Sequence, residues 1–224
     1  MSRTPIYLSW SSGKDSAWTL YQLQHHPTLE VRGLLTTFNE AFDRVAMHAV
    51  RRTLTQAQAR AADLPLYAVD LPWPCSNEAY EARMGTAVAT LKAEGIRGFA
   101  FGDLFLEDVR AYREAKLEGT GLQSHFPLWR KPTEALAREM VEAGVKATLT
   151  CVDPGQAPAD WAGRSFDHEL IEDCLKAGID PCGERGEFHT FVSDGPMFTE
   201  AIAVTTGEIV ERDGFIFADI LPKT

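Results

Sequence analysis

Six consecutive residues, Ser11-Ser12-Gly13-Lys14-Asp15-Ser16, gather three hydroxyls, a glycine, a cation and a carboxylate. The apolar run Ile6–Trp10 leads into them, and Ala17, Leu20 and Tyr21 follow at helical spacing. A loop passing from a strand end to a helix start brings backbone amides together with the positive end of the helix, which suits a phosphate. Gly13 permits close backbone approach, Ser11, Ser12 and Ser16 offer donors, and Lys14 supplies charge. Asp15 fits an anion hole poorly; it makes sense as a Mg²⁺ ligand or as a carboxylate at the helix N-terminus. A Walker A loop needs glycine where Leu8 stands and does not tolerate an aspartate after its lysine. The Gly-x-Gly-x-x-Gly pattern is absent from this turn.

A second stretch, Pro181–Phe198, is dense in ionisable and turn-forming groups. Glu184, Arg185, Glu187, His189 and Asp194 lie close together, with Gly183, Gly186 and Gly195 among or beside them. Glycines let backbone approach a ligand, and carboxylates beside a histidine suit acid–base or metal work. A turn with solvated charges would give the same composition. Outside these stretches, His48 precedes a helix and can reach a nucleotide or simply cap. Trp73 between Pro72 and Pro74 reads as a rigid packed turn rather than a base-stacking platform. Trp129 fits core packing, and His25, His26 and His168 read as solvent-facing. Cys182 before Gly183 suggests tight packing, not thiolate chemistry.

These groups need a frame. Ile6–Ser9, Val31–Thr36, Leu66–Asp70, Gly98–Phe101 and Lys146–Cys151 read as strands buried on both faces. Amphipathic helices are expected between them over about Met47–Ala62, Asn77–Glu94 and Thr133–Ala143, the last capped by Thr133 after Pro132. Strand–helix alternation implies right-handed crossovers and a parallel sheet covered on both faces. After Cys151 the pattern changes to one helix near Ser165–Ala177, then turns. Two β-rich runs follow, Ala201–Glu211 and Phe215–Leu221, joined at the hairpin signal Asp213-Gly214. The expected division is therefore an ATP-binding α/β domain at 1–150 and a small C-terminal α+β subdomain at 151–224.

A length of 224 residues suits that arrangement. No apolar run reaches the ~20 residues of a membrane span, and the N-terminus lacks signal-peptide character, so the cytoplasm is the expected compartment. Four scattered cysteines without a C-x-x-C pair argue against a zinc ribbon or a disulfide framework. The net charge of −10 removes the basic field that draws nucleic acid non-specifically, which makes nucleic acid an unlikely partner. A local basic pocket could still come from Arg51/Arg52 or Arg110/Arg113.

The first loop resembles the PP-loop, commonly Ser-Gly-Gly-Lys-Asp-Ser, with Ser12 in place of the middle glycine. Pro181–Val192, followed by Asp194-Gly195-Pro196 and Phe198, resembles the C-terminal signature of the diphthine–ammonia ligase family, with Arg185 where that pattern has asparagine. Gly102-Asp103-Leu104, then Arg110 and Arg113-Glu114, and Pro127-Leu128-Trp129 match in order. The resemblance covers nearly the whole chain. It implies a Rossmann-like α/β fold of the adenine nucleotide alpha hydrolase type. It also implies an ATP- and Mg²⁺-dependent ligase that adenylates a carboxylate, amidates it with ammonia and releases AMP and pyrophosphate. The acceptor implied is diphthine on translation elongation factor 2, or a small carboxylate. The same resemblance assigns Ser11–Ser16 to ATP, Asp15 to the metal, and Lys14, Asp103, Glu187 and His189 to catalysis. Glu184, Arg185 and Gly186 fall to the acceptor. Two other readings compete: a PP-loop tRNA-modifying enzyme, and a nucleotide-binding sensor without ligase activity.

Overall fold

The computed structural model describes residues 3–45 and 48–223. The strand β1 (Thr4–Ser9) is the centre of the first sheet, with Ile6 and Leu8 fully buried. It pairs in parallel with β2 (Leu29–Asn39) on one side and with β5 (Gly98–Ala100) on the other. Beyond β2 lies β4 (Leu66–Leu71), and beyond β5 lies β6 (Gln123–His125), both parallel. Among the described residues of this sheet only β3 (Arg44–Val45) runs antiparallel, against the last two residues of β2. The chain thus builds outward from β1 in one direction, then returns to build in the other. This reversal opens a crevice at the carboxyl end of β1, the usual ligand position in open α/β sheets.

Helices supply the crossovers: α1 (Lys14–Gln24), α2 (Arg52–Ala61), α3 (Asn77–Ala93), α4 (Glu107–Leu117) and α5 (Thr133–Glu142). On α1, Ala17, Leu20 and Leu23 fall three apart and are buried, the stripe a sheet-covering helix requires. The expected helix from Met47 begins only at Arg52; Met47 itself lies outside the described residues. For α5, Pro132 occupies the cap position and Thr133 is the first helical residue, with no side-chain cap. Proline's fixed φ leads the chain into the first turn, so a threonine hydroxyl is not needed there.

The strand at Lys146–Val152, β7, does not join the parallel sheet as its apolar character suggested. It lies inside a second, wholly antiparallel sheet of order β8-β7-β10-β9, with β8 (Phe188–Asp194), β9 (Val204–Arg212) and β10 (Phe215–Pro222). A strand buried on both faces has the same composition in either sheet, so the run alone could not choose its partners. The hairpin at Asp213-Gly214 forms as expected, with φ of 51° and 83°, the two left-handed residues of a I′ turn. The remaining helix, α6 (His168–Ala177), is capped by the Asp167 carboxylate, which accepts the Leu170 N–H at 2.9 Å. One continuous core joins the first sheet to the second: Leu8, Trp18 and Leu20 share a cluster with Leu149, Phe188 and Val192.

Candidate active site

The Ser11–Ser16 loop leaves the carboxyl end of β1 at the reversal point, and β8 of the second sheet lies against it. The Lys14 N–H donates to the Thr190 hydroxyl at 3.0 Å, and the Val192 N–H donates to the Ser12 carbonyl at 3.0 Å. Gln58 of α2, fully buried, ties the same parts together. Its amide N–H groups donate to the carbonyls of Ser12 and Val192, and its oxygen accepts from the Trp10 indole. Every polar atom of Gln58 is thereby satisfied, as a buried amide must be. Gly13 suits the close approach here: a side chain would press on the His48 ring and on Thr190 at 3.2 Å, tight for a Cβ. Ser12 holds φ at 71°, a region where glycine is free and serine is not.

Lys14 is 2% exposed. Its ammonium donates to both Asp15 carboxylate oxygens, at 3.0 and 2.8 Å, and to the Cys182 carbonyl. The rings of Phe166 and Phe188 each lie 5.6 Å from Nζ. Burial works against the cation, but its acidic neighbours, Asp15 first and then Cys182 and Asp180, together outweigh it and the pKa is raised, so the ammonium stays charged. The Cys182 carbonyl belongs to the signature loop, which Asp180 organises by accepting the N–H groups of Cys182 and Glu184 at 3.1 Å each. Burial pushes the Cys182 thiol far up, and it donates to the Thr133 carbonyl. Packing, not nucleophilic chemistry, explains it.

A cavity of about 1050 Å³ opens beside this junction, ample for a nucleotide. Ser11, Lys14, Asp15 and Ser16 line one end, together with Glu184 and the His48 and His189 rings. A lobe between α3 and α4 continues from there, with Met84, Val88 and Val109 among its apolar walls. The two imidazoles sit 4.5 Å apart between centroids. Burial, then the Lys14 charge, depresses His189 to about 4; burial, then His189, lowers His48 well below its ordinary value. Both rings are thus held toward the neutral form, and His48 Nδ1 is buried without a partner among the described residues. Glu184 moves the other way: burial raises its carboxyl to about 7, against the stabilising N–H groups of Leu104 and Phe105.

The family model for the diphthamide synthase N-terminal domain matches residues 5–124, and that for the diphthamide synthase C-terminal domain matches residues 132–220. The chain belongs to the diphthamide synthase family. The diphthine–ammonia ligase of Homo sapiens is 27% identical over 230 residues, covering 94% of this chain and 86% of the relative. That of Bos taurus is 26% identical with the same coverage. That of Danio rerio is 27% identical over 232 residues, covering 94% and 90%.

Of the residues that this diphthamide synthase family chain was expected to use, the fold brings Ser11, Lys14, Asp15, Ser16, Asp103, Glu184 and His189 to one cavity. Ser12 and Gly13 lie beneath it and serve the loop's shape. Glu187 is buried but absent from the cavity lining; its carboxylate accepts the Arg185 N–H at 2.9 Å and shapes the loop. Arg185 points to the surface, 60% exposed, with its guanidinium over the Phe105 ring at 5.0 Å. Gly186, with φ at 89°, turns the chain between them. Asp103 faces the cavity in a bidentate pair with Arg113 at 2.5 and 3.1 Å. Trp73 is 61% exposed against Phe42 rather than packed. Sequence reasoning missed Thr190, Asp180 and Gln58 as organisers. Thr190 lay in full view within the signature, whereas Gln58 and Asp180 carry no motif that would single them out.

Proposed function

We propose that this chain is an ATP-dependent amide ligase of the diphthine–ammonia type: it adenylates a carboxylate, then passes the acyl group to ammonia, releasing AMP and pyrophosphate. The observation that carries this reading is the meeting of Lys14 with the signature loop. One cavity presents phosphate-binding groups from the first sheet and ionisable groups from the second, so a nucleotide and an acyl acceptor can share it.

The hydroxyls of Ser11 and Ser16 and the cationic Lys14 suit the β- and γ-phosphates as a departing unit, neutralising the charge that grows on pyrophosphate. That leaves the α-phosphorus toward Glu184 and His189 and open to a carboxylate oxygen. Mg²⁺ would be held by few protein groups: among the described residues no cluster of three or more metal-binding side chains occurs. Such a site fits an ion that arrives largely on phosphates and water, with Asp15 as its carboxylate. Bound there, Mg²⁺ would add charge stabilisation to the leaving pyrophosphate. Asp103, pinned by Arg113, is suited to positioning. Glu187, with Arg185 and Gly186, would set the signature loop's shape and thereby the acceptor's seat.

Surface charge supports this reading over RNA modification. Arg51 pairs with Asp219, Arg52 with Asp43 and Asp70, Arg110 with Glu114, and Arg113 with Asp103. The arginines that could have formed a basic patch are already neutralised. The cytoplasm is the compartment where ATP and elongation factor 2 meet, and no helix among the described residues is long and apolar enough to cross a membrane.

The deciding experiment follows α-labelled ATP in the presence of ammonia and diphthine-bearing elongation factor 2. Labelled AMP that depends on both is expected, together with its loss, by roughly 10²-fold or more, in Lys14→Ala. Stoichiometric ADP without AMP would sink the ligase reading.

A further inference from the structure

Four carboxylates line the cavity: Asp15, Glu81, Asp103 and Glu184. Three are committed to cations. Asp15 pairs with Lys14, Glu81 with Lys116 and Asp103 with Arg113. Glu184 alone among them makes no ion pair with any described residue. One of its oxygens, Oε1, accepts the Leu104 N–H at 2.7 Å and the Phe105 N–H at 3.4 Å. No hydrogen bond from the described residues reaches Oε2. The backbone at Glu184 is fixed independently, by its N–H to Asp180. The side chain is thus held from both ends at the mouth of the phosphate loop, with one oxygen uncommitted.

Amidation by ammonia poses a problem that such a group answers. At neutral pH ammonia is mostly ammonium, which has no lone pair and cannot attack an acyl carbon. A site that uses it must take a proton first. We propose that Glu184 is the proton acceptor of the amidation half-reaction, its free oxygen Oε2 receiving the proton that ammonium must lose. This inference rests on the ligase reading above.

The step balances without any further reagent. The carboxylate takes H⁺ from NH₄⁺, giving NH₃ and a neutral Glu184. The nitrogen lone pair forms the C–N bond, and the acyl C–O bond to the phosphate breaks with its electron pair leaving on AMP. The second proton shed by nitrogen goes to the departing phosphate oxygen, and Glu184 returns its own to solvent. The groups facing Glu184 favour this cycle. Burial, with Asp15 close by, raises its affinity for a proton, whereas Lys14 and the two amides lower it; the balance lies at about 7. A carboxylate so poised is ionised often enough to accept and basic enough to hold. Burial makes the two cavity histidines, His48 and His189, weaker proton acceptors than ordinary imidazoles.

Glu184→Gln tests this while keeping an oxygen for the Leu104 and Phe105 amides. Diphthine-bearing elongation factor 2 is offered with ATP and either ammonium or hydroxylamine, a nucleophile that needs no deprotonation near neutrality. The expected result is a fall of about 10²-fold in amide formation, far larger than any fall in hydroxamate formation. Equal loss with both nucleophiles, or no loss with ammonium, would overturn the proposal. In parallel, the carboxyl stretch is followed by infrared difference spectroscopy against pH. A protonated carboxyl titrating near 7 should be present in the parent chain and missing from Glu184→Gln; its absence from the parent also overturns the assignment. Should the parent form no AMP with this acceptor, the ligase reading fails and this proposal falls with it; AMP and amide formed by the parent but equally by Glu184→Gln overturn this proposal alone.

Discussion

At residue scale, the departure of Ser12 from the PP-loop pattern is both local and physical. Its φ of 71° is the conformation that a glycine would adopt without strain, and its hydroxyl is buried with no partner among the described residues. Serine therefore carries a backbone cost and an unsatisfied polar group, each of order ~1 kcal/mol. Glycine gives part of that back through the greater freedom of its unfolded chain. Ser12→Gly should stabilise the fold by about 1 kcal/mol, read as a higher midpoint in urea with an unchanged slope. A lower midpoint would mean that the Ser12 hydroxyl has a role in the fold. Catalytic properties are not expected to follow, because Ser12 does not line the cavity.

At the scale of elements, the contact that matters most is the approach of the β5 end to the start of α1. Gly102 follows β5 by two residues, and a Cβ there would stand 3.0 Å from the Asp15 carbonyl carbon and 3.1 Å from the Ser16 nitrogen. Those atoms are backbone, so they cannot swing aside as a flexible side chain would. Gly102→Ala should push the first turn of α1 away from the sheet, at about 1–3 kcal/mol of overpacking. The Lys14 ammonium and the Ser16 hydroxyl, proposed above to face the phosphates, move with that turn. Calorimetric titration with ATP should therefore show affinity lowered by on the order of tenfold, alongside a modest fall in melting temperature. Unchanged affinity would place the phosphates elsewhere in the cavity.

At the scale of the molecule, the site exists only because two sheets meet. The parallel sheet supplies the loop and the antiparallel sheet supplies Thr190, His189 and the signature. The bond from the Lys14 N–H to the Thr190 hydroxyl crosses that junction where it is buried. Thr190→Val keeps the side-chain shape and leaves the amide unpaired, a loss of about 1–3 kcal/mol. Thr190→Ser should recover most of it, since the hydroxyl is retained. Thermal melts of the two variants make the comparison, and equal destabilisation would indicate that packing, not the hydrogen bond, holds the sheets together there.

Much of this protein was legible in order along the chain. The strand–loop–helix of Ile6–Tyr21, the strands β1, β2, β4 and β5 and the Asp213-Gly214 hairpin are local, set by periodicity, glycine and hydrogen-bonding side chains at short range, although β4 alternates exposed and buried residues instead of being buried on both faces. The loop and the signature were visible as dense sets of chemical groups, and their resemblance pointed to the diphthamide synthase family. Other features depended on long-range contacts. The helix α4 escaped notice because its charged face dominates, and most of its residues remain exposed. The partners of β7 and the formation of β8 were decided by antiparallel pairing between segments far apart in sequence, which composition does not encode. The roles inside Pro181–Phe198 divided in the same way. Glu184 and Glu187 are both glutamates three residues apart in one motif, yet one reaches the cavity and the other turns beneath it to hold the Arg185 amide. That division arises from the left-handed turns at Gly183 and Gly186, the Asp180 scaffold and the burial imposed by the opposite sheet, all of which exist only once the chain has closed on itself.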